Sequence, residues 1–295
     1  MGGSADLGPS NKTTLKFEGA GDFQADNPSG KNLHFGIREH AMAATINGLS
    51  LSKIRAFGAT FFIFSDYARP AIRLSALMEL PTIFVFTHDA MGDGEDGPTH
   101  QPVEHLISLR AIPGLVVLRP GDANEVVEAY RYILQLRHQP AVIALSRQPL
   151  PTFDRGKYAS AVGVARGAYV MAEASGGSPE VILIASGSEV SLVVEAHEAL
   201  MTQGIRSRVV SMPSWDIFER QPQSYRESVL PPEVAARIAV EQGSVLGWDR
   251  YVGAAGQAIG MKTFGASAPL KELQRKFGFE PERIVAAAKE LLGRK

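Results

Sequence analysis

The chain has 295 residues, room for two domains of ~150 residues, and its 45% hydrophobic and 21% charged content is that of a globular protein rather than a disordered or fibrous one. Thirty Lys and Arg face 31 Asp and Glu, a net charge of -1 that supplies no overall drive toward nucleic acid or an anionic membrane. With no cysteine, a disulfide framework, a thiolate metal site and a cysteine nucleophile are all excluded. No apolar run approaches the ~18 to 20 residues that cross a bilayer; the longest, Ala56 to Phe64, is broken by Gly58 and Thr60. The opening MGGSADLGPSNKTT lacks the basic and apolar regions of a secretory signal, so a cytoplasmic location is expected. No element stands ahead of Gly2 and Gly3, and a glycine pair normally follows one, so the chain is expected to begin inside a domain.

In chain order, a helix is predicted from Glu39 to Leu51, then strands at Ile54 to Phe57, Thr82 to Thr87, Leu115 to Leu118 and Val142 to Leu145. Between the strands lie helical patterns at Arg69 to Glu79, Val103 to Ala111 and Ala123 to Arg137. The last opens on Asp122 as N-cap, with Glu125 as its capping-box partner. Short apolar runs alternating with amphipathic stretches predict βαβ units around a parallel sheet buried on both faces. Gln148 to Gly156, with two prolines and no periodicity, reads as a surface linker. A second unit follows: a strand at Val181 to Ala185, the turn Ser186-Gly-Ser188 as a helix start of structural duty, and a helix from Glu189 to about Gln203. Strands at Arg206 to Ser211 and Ala235 to Val240 and a helix from Glu282 to Leu292 complete it. The expected fold class is α/β in two domains, residues 1–150 and 166–295 joined by a linker at 151–165, each a mainly parallel sheet flanked by helices.

Ligands bind beyond the carboxyl ends of parallel strands. The loop after the strand ending at Thr87 carries three Asp, one Glu, two His and three Gly between Thr87 and His100, which is too polar and flexible for a mere connector, although a solvated acidic loop has the same composition. His88, His100 and His105 are zinc-type donors, but no pair has the helical i, i+4 spacing and Pro102 interrupts the register. Its glycines precede no Lys-Ser/Thr pair, so a phosphate-cradling P-loop is absent. Glu39 opens a helix, where a carboxylate can simply offset the positive end. Phe61, Phe64 and Tyr67 fall at i, i+3, i+6, nearly one helical face, a pattern that suits a core stripe as well as a cofactor pocket.

Five ordered strings carry a resemblance: GGSADLGPSN at 2–11, FGIREHAM at 35–42, FGATFFIFSDYARPA at 57–71, THDAMGDGEDGPTHQPVEHL at 87–106 and ALSRQPLP at 144–151. Together they resemble the transketolase family, specifically its pyrimidine-binding and C-terminal domains, and the likeness runs over essentially the whole chain. The resemblance implies transfer of a two-carbon ketol unit between sugar phosphates, with thiamine diphosphate and Mg²⁺ or another divalent cation. It implies that Glu39 hydrogen-bonds the cofactor's aminopyrimidine ring, a duty that needs a carboxyl in an apolar site able to share a proton. Phe61, Phe64 and Tyr67 match the aromatic pocket around that ring, with Phe64 stacking on it, and Asp6 is placed near the cofactor. Ser10 and Arg147 match positions that grip the sugar phosphate, where a guanidinium makes a bidentate clamp. His88 and His100 match histidines that contact substrate oxygens in catalysis, and Asp96 matches an aspartate that accepts from a substrate hydroxyl.

The sequence departs from the family in having nothing that corresponds to its N-terminal diphosphate-binding domain or to the first strand of the pyrimidine domain. No metal ligand is therefore expected within this chain. The family's centre is built between two chains, so the expected partners are sugar phosphates and either a second copy in a homodimer or a complementing N-terminal half, with no nucleic acid and no membrane. A start within a domain favours truncation over a natural split, which would fall between domains. Two other readings stand beside this one: a related thiamine enzyme such as dihydroxyacetone synthase or deoxyxylulose-phosphate synthase, and a non-catalytic or regulatory dimerising fragment.

Overall fold

The computed structural model describes residues 1–294 and folds them around two sheets. The first contains β1 (Gly2–Ser4), β2 (Asn32–His34), β3 (Phe57–Phe61), β4 (Ile83–Thr87), β5 (Val116–Leu118) and β6 (Ala141–Leu145) in the order β2-β1-β3-β4-β6-β5, every pair parallel. The second contains β7 (Tyr169–Ala172), β8 (Val181–Ala185), β9 (Ser207–Ser211), β10 (Arg237–Ser244) and β11 (Gln257–Met261) in the order β11-β10-β8-β9-β7, with only the β7 edge antiparallel. Two α/β domains with mainly parallel sheets are thus what the alternating pattern predicted.

Residues of β4 sort by the two-residue period of a strand. Ile83 and Val85 join the core shared with the second domain, while Phe84 and Phe86 pack under α2 (Glu39–Leu51) and α3 (Ser65–Leu77). Burial on both faces is why this strand reads as an unbroken apolar run. The parallel registers align Ser4 with Ala59, Phe61 with Thr87, and Thr87 with Leu145. The chain therefore leaves β1, β3, β4 and β6 along one carboxyl edge, bringing residues just after Ser4, Phe61, Thr87 and Leu145 together.

Several expectations are corrected. The strand expected at Ile54 to Phe57 lies at Phe57–Phe61, because Lys53 adopts φ +63° and the Ile54 amide donates back to Leu49, closing α2 through residue 54. Gly58 pairs within that strand and packs close under α2, where an added Cβ would lie 3.1 Å from Ile46. Gly2 and Gly3 do not follow an element but form one, β1, where a Cβ on Gly3 would stand 1.7 Å from the Leu33 carbonyl oxygen. Helix α3 starts at Ser65, not Arg69, and Pro70 falls in its interior. Phe61, Phe64 and Tyr67 are not on one helix: Phe61 ends β3, Phe64 closes a 3₁₀ turn and Tyr67 lies in α3.

Residues 146–160 contain no helix or strand, yet they are tied down. Asp122, which caps α5 (Ala123–Gln135) by accepting the Glu125 amide at 2.8 Å, also takes Arg155 at 2.8 Å on each oxygen and the Phe153 amide at 3.1 Å. The Glu125 carboxylate does not complete a capping box onto Asp122. It accepts from the Gly121 amide at 2.7 Å, and its other oxygen accepts from Tyr169 and Ser211 of the second domain. Helix α4 (His105–Arg110) packs against β10 at the same boundary, and α6 (Glu189–Thr202) begins there. There Arg119 binds Asp89, Ser186 and Glu189, and Arg110 binds Glu241 through two 2.8 Å bonds. Ser188 makes no capping bond to α6. Its turn serves instead as this boundary, with Ser186 Oγ donating to Glu241 at 2.6 Å. Among the described residues no helix is long and apolar enough to cross a membrane.

Candidate functional site

The carboxyl edge of the first sheet opens into a cleft of about 500 Å³ lined by Ala5, Asp6, Leu7, Ile37, Glu39, Phe64 and Tyr67. Glu39 starts α2 after the turn at Gly36 and is 7% exposed. Among the described residues no donor reaches its carboxylate, so its lone pairs remain for whatever enters the cleft. Aromatic rings run from there as a stack: Tyr67 to Phe64 and Phe64 to Phe61 are each 6.1 Å between centroids. The stack continues onto His88, whose ring lies 3.7 Å from Phe61, while His100 stands edge-on to Phe64 at 5.6 Å. An acceptor at the mouth and flat faces along the wall suit a planar, nitrogen-bearing heterocycle.

His88 follows β4 directly and is held by a chain of buried hydrogen bonds. Ser4 Oγ donates to Asn11 Oδ1, Asn11 Nδ2 donates to Thr87 Oγ1 at 2.7 Å, and Thr87 Oγ1 lies 2.9 Å from His88 Nδ1. The Thr87 hydroxyl accepts from Asn11 and pairs with His88 Nδ1, which fixes the ring's orientation and leaves Nε2 without a partner among the described residues. Burial, with help from the nearby Arg147 charge, pushes the His88 ring down to about 4. Its φ of +61°, like the +60° of Asp6, is a conformation most side chains avoid, and both residues border the cleft region.

Beyond His88, the loop folds back. Arg147, just past β6, places Nε 3.3 Å from Asp93 Oδ1, and burial followed by the neighbouring Asp96 charge raises the Asp93 carboxyl above its ordinary value. Asp96 and His100 are both close enough to influence His88 and Asp93 electrostatically. The structure thus gathers Asp6, Glu39, Phe61, Phe64, Tyr67, His88, Asp96, His100 and Arg147 along one edge. Ser10 is exposed on the four-residue helix α1 (Gly8–Asn11), one position before Asn11. His105 separates from the other two histidines: it bonds Asp66 at 2.9 Å and faces Phe62. Among the described residues no group of three His, Asp or Glu side chains is arranged to hold a metal ion. Sequence reasoning missed Asn11 and Thr87, whose only signal is that they flank residues it did select.

With its protonation suppressed by burial, the His88 ring should give NMR signals that stay constant from pH 8 to about 5. The unfolded chain binds the extra proton between about pH 4 and 6.5, so the ring contributes stability that rises with pH through that window and is lost below it. A titration midpoint at the ordinary value would refute the burial argument.

A family model described as the pyrimidine-binding domain of transketolase matches residues 1–152, and one described as the transketolase-like C-terminal domain matches 167–280. The transketolase of Halalkalibacterium halodurans is 55% identical over 296 residues, and that of Bacillus subtilis 50% identical over 295. Each alignment covers 100% of this chain and 44% of the relative. A solved transketolase from Leishmania mexicana superposes with a TM-score of 0.93 at 44% identity, over 99% of this chain and 42% of its own. A structure titled as a split-gene transketolase, an inactive β4 tetramer, shares the fold at TM-score 0.74 and 23% identity, over 100% of this chain and 92% of that one. The chain spans less than half the length of the curated relatives it matches.

Proposed function

The chain belongs to the transketolase family, and from that premise we propose that it supplies the pyrimidine-binding half of a thiamine-diphosphate site for ketol transfer between sugar phosphates. The observation that carries this reading is Glu39, a nearly buried carboxylate with free lone pairs at the mouth of a cleft walled by Phe64 and Tyr67. When bound, thiamine diphosphate supplies a carbon nucleophile and an electron sink for the cleaved two-carbon unit. The residues of this chain do the rest. Glu39 shares a proton with the aminopyrimidine nitrogen, Phe64 holds the ring by its face, and Phe61, Tyr67 and Asp6 close the pocket around it. His88 and His100 stabilise negative charge on substrate oxygens. Asp96 accepts from one substrate hydroxyl and so disfavours epimers that leave it unpaired. Arg147 and Ser10 bind the phosphate.

The diphosphate and its divalent cation are held by residues outside this chain, in a complementing N-terminal half or a second subunit. Ile37 at 78% exposure and Tyr67 at 64%, both at the cleft, are apolar surface of the kind a partner subunit covers. In the assay, ketol transfer from xylulose 5-phosphate to ribose 5-phosphate is measured with and without a separately expressed N-terminal half. Turnover is expected only when both are present. Folded material that stays inactive in both cases would defeat the reading.

A further inference from the structure

The C-terminal domain carries none of the residues assigned above, yet it grips the loop that bears Asp96 and His100. Gln101, 3% exposed, donates from Nε2 to the carbonyl oxygens of Asp93 at 3.2 Å and Ala266 at 3.0 Å, and accepts at Oε1 from the Ala266 amide at 3.1 Å. One side-chain amide is thereby paired like a strand residue to the backbone of the other domain. Beside it the Ala268 amide donates to Gly94 at 3.0 Å, and Ser267 Oγ donates to the Glu95 carbonyl at 2.7 Å. Both sides of the seam lack a Cβ where they touch. A methyl on Gly94 would stand 2.2 Å from the Ala268 oxygen, and one on Gly265 would stand 1.7 Å from Gln101 Oε1. The opposite end of the same loop is also held from the second domain, through Asp89, Arg119 and Glu189.

We propose that the C-terminal segment 265–268 is a template that shapes the sugar-binding loop, with Gln101 as the positioning residue that reads it. The loop holds glycine at 92, 94 and 97 and would otherwise sample many backbone conformations, each presenting Asp96 and His100 differently. Clamped to the segment, it presents one. The C-terminal domain therefore sets the affinity for sugar phosphate without touching it. The identity of the ligand rests on the function proposed above; the clamp does not.

Gly265→Ala displaces the Gln101 amide without deleting it, Gln101→Ala deletes it, and Ser267→Ala removes one bond at an exposed site where folding is not at stake. Hydrogen exchange in the unliganded 295-residue chain should rise roughly tenfold in peptides spanning residues 91–101 for the first two variants and by a smaller factor for the third, with β8 unchanged. In the complemented enzyme, KM for the aldose phosphate should rise about fivefold or more while kcat stays within about twofold. Unchanged loop exchange, an equal rise in β8, or kcat falling with KM constant would each overturn the template. The exchange experiment needs no turnover, so an inactive unsubstituted pair would count against the proposed function and leave the clamp to be decided by exchange.

Discussion

Glu39→Ala, tested in the complemented enzyme, should lower ketol transfer by at least about 10²-fold, the scale of a lost proton-transfer group. The side chain sits at the first residue of α2, held at the cleft by the helix start rather than by bonds to other side chains. Its removal therefore leaves the surrounding packing almost untouched, and the melting temperature should move little. Glu39→Gln keeps the shape and one acceptor but cannot share a carboxylic proton, so it should be nearly as inactive as the alanine variant. Activity that survives in both would remove Glu39 from the role assigned to it, and with it the strongest support for a bound aminopyrimidine.

The largest stability effect is expected at Arg119. Its guanidinium is 1% exposed and binds Asp89 at 2.7 Å, Glu189, and the Ser186 carbonyl at 2.9 Å, joining the two domains. Burial works against its charge, but Glu189 and Asp89 outweigh that and hold its pKa above the ordinary value. Arg119→Met leaves two carboxylates facing one another in a dry boundary, which should cost about 3–5 kcal/mol and lower the melting temperature on the order of 10 °C. Adding Asp89→Asn and Glu189→Gln to Arg119→Met should recover part of the loss, because the unpaired charges are then gone. A single-variant loss below about 1 kcal/mol would mean that water reaches the cluster and that the domains are not locked through it.

Much of the architecture was legible because parallel strands buried on both faces leave unbroken runs such as Ile83–Thr87 and Val181–Ala185, which no loop imitates. The errors fell where local chemistry is weak. β1 is three residues containing two glycines, and β3 is interrupted by Gly58 and Ala59, so their strand character owes more to neighbours than to propensity. The run from Phe61 to Tyr67 has helical spacing but crosses from strand to 3₁₀ turn to helix, and only the sheet edge explains why its rings still stack. The strings that carry the family resemblance stand in order along the chain, yet they are silent about which side chains meet. Asn11 and Thr87 are 76 residues apart, and Gln101 and Ala266 are 165 apart.

Burial patterns and short motifs are local properties of a chain, so the family and the two α/β domains could be read from the residues alone. Packing alone brings Thr87 onto His88 Nδ1, turns Glu125 to the domain boundary rather than to a capping box, and seats residues 265–268 against the loop from Gly92 to Gln101. Those facts depend on aligned strand registers and on hydrogen bonds between residues far apart in sequence. Such bonds form only when packing has removed water from both partners, and no stretch of sequence read alone records that event.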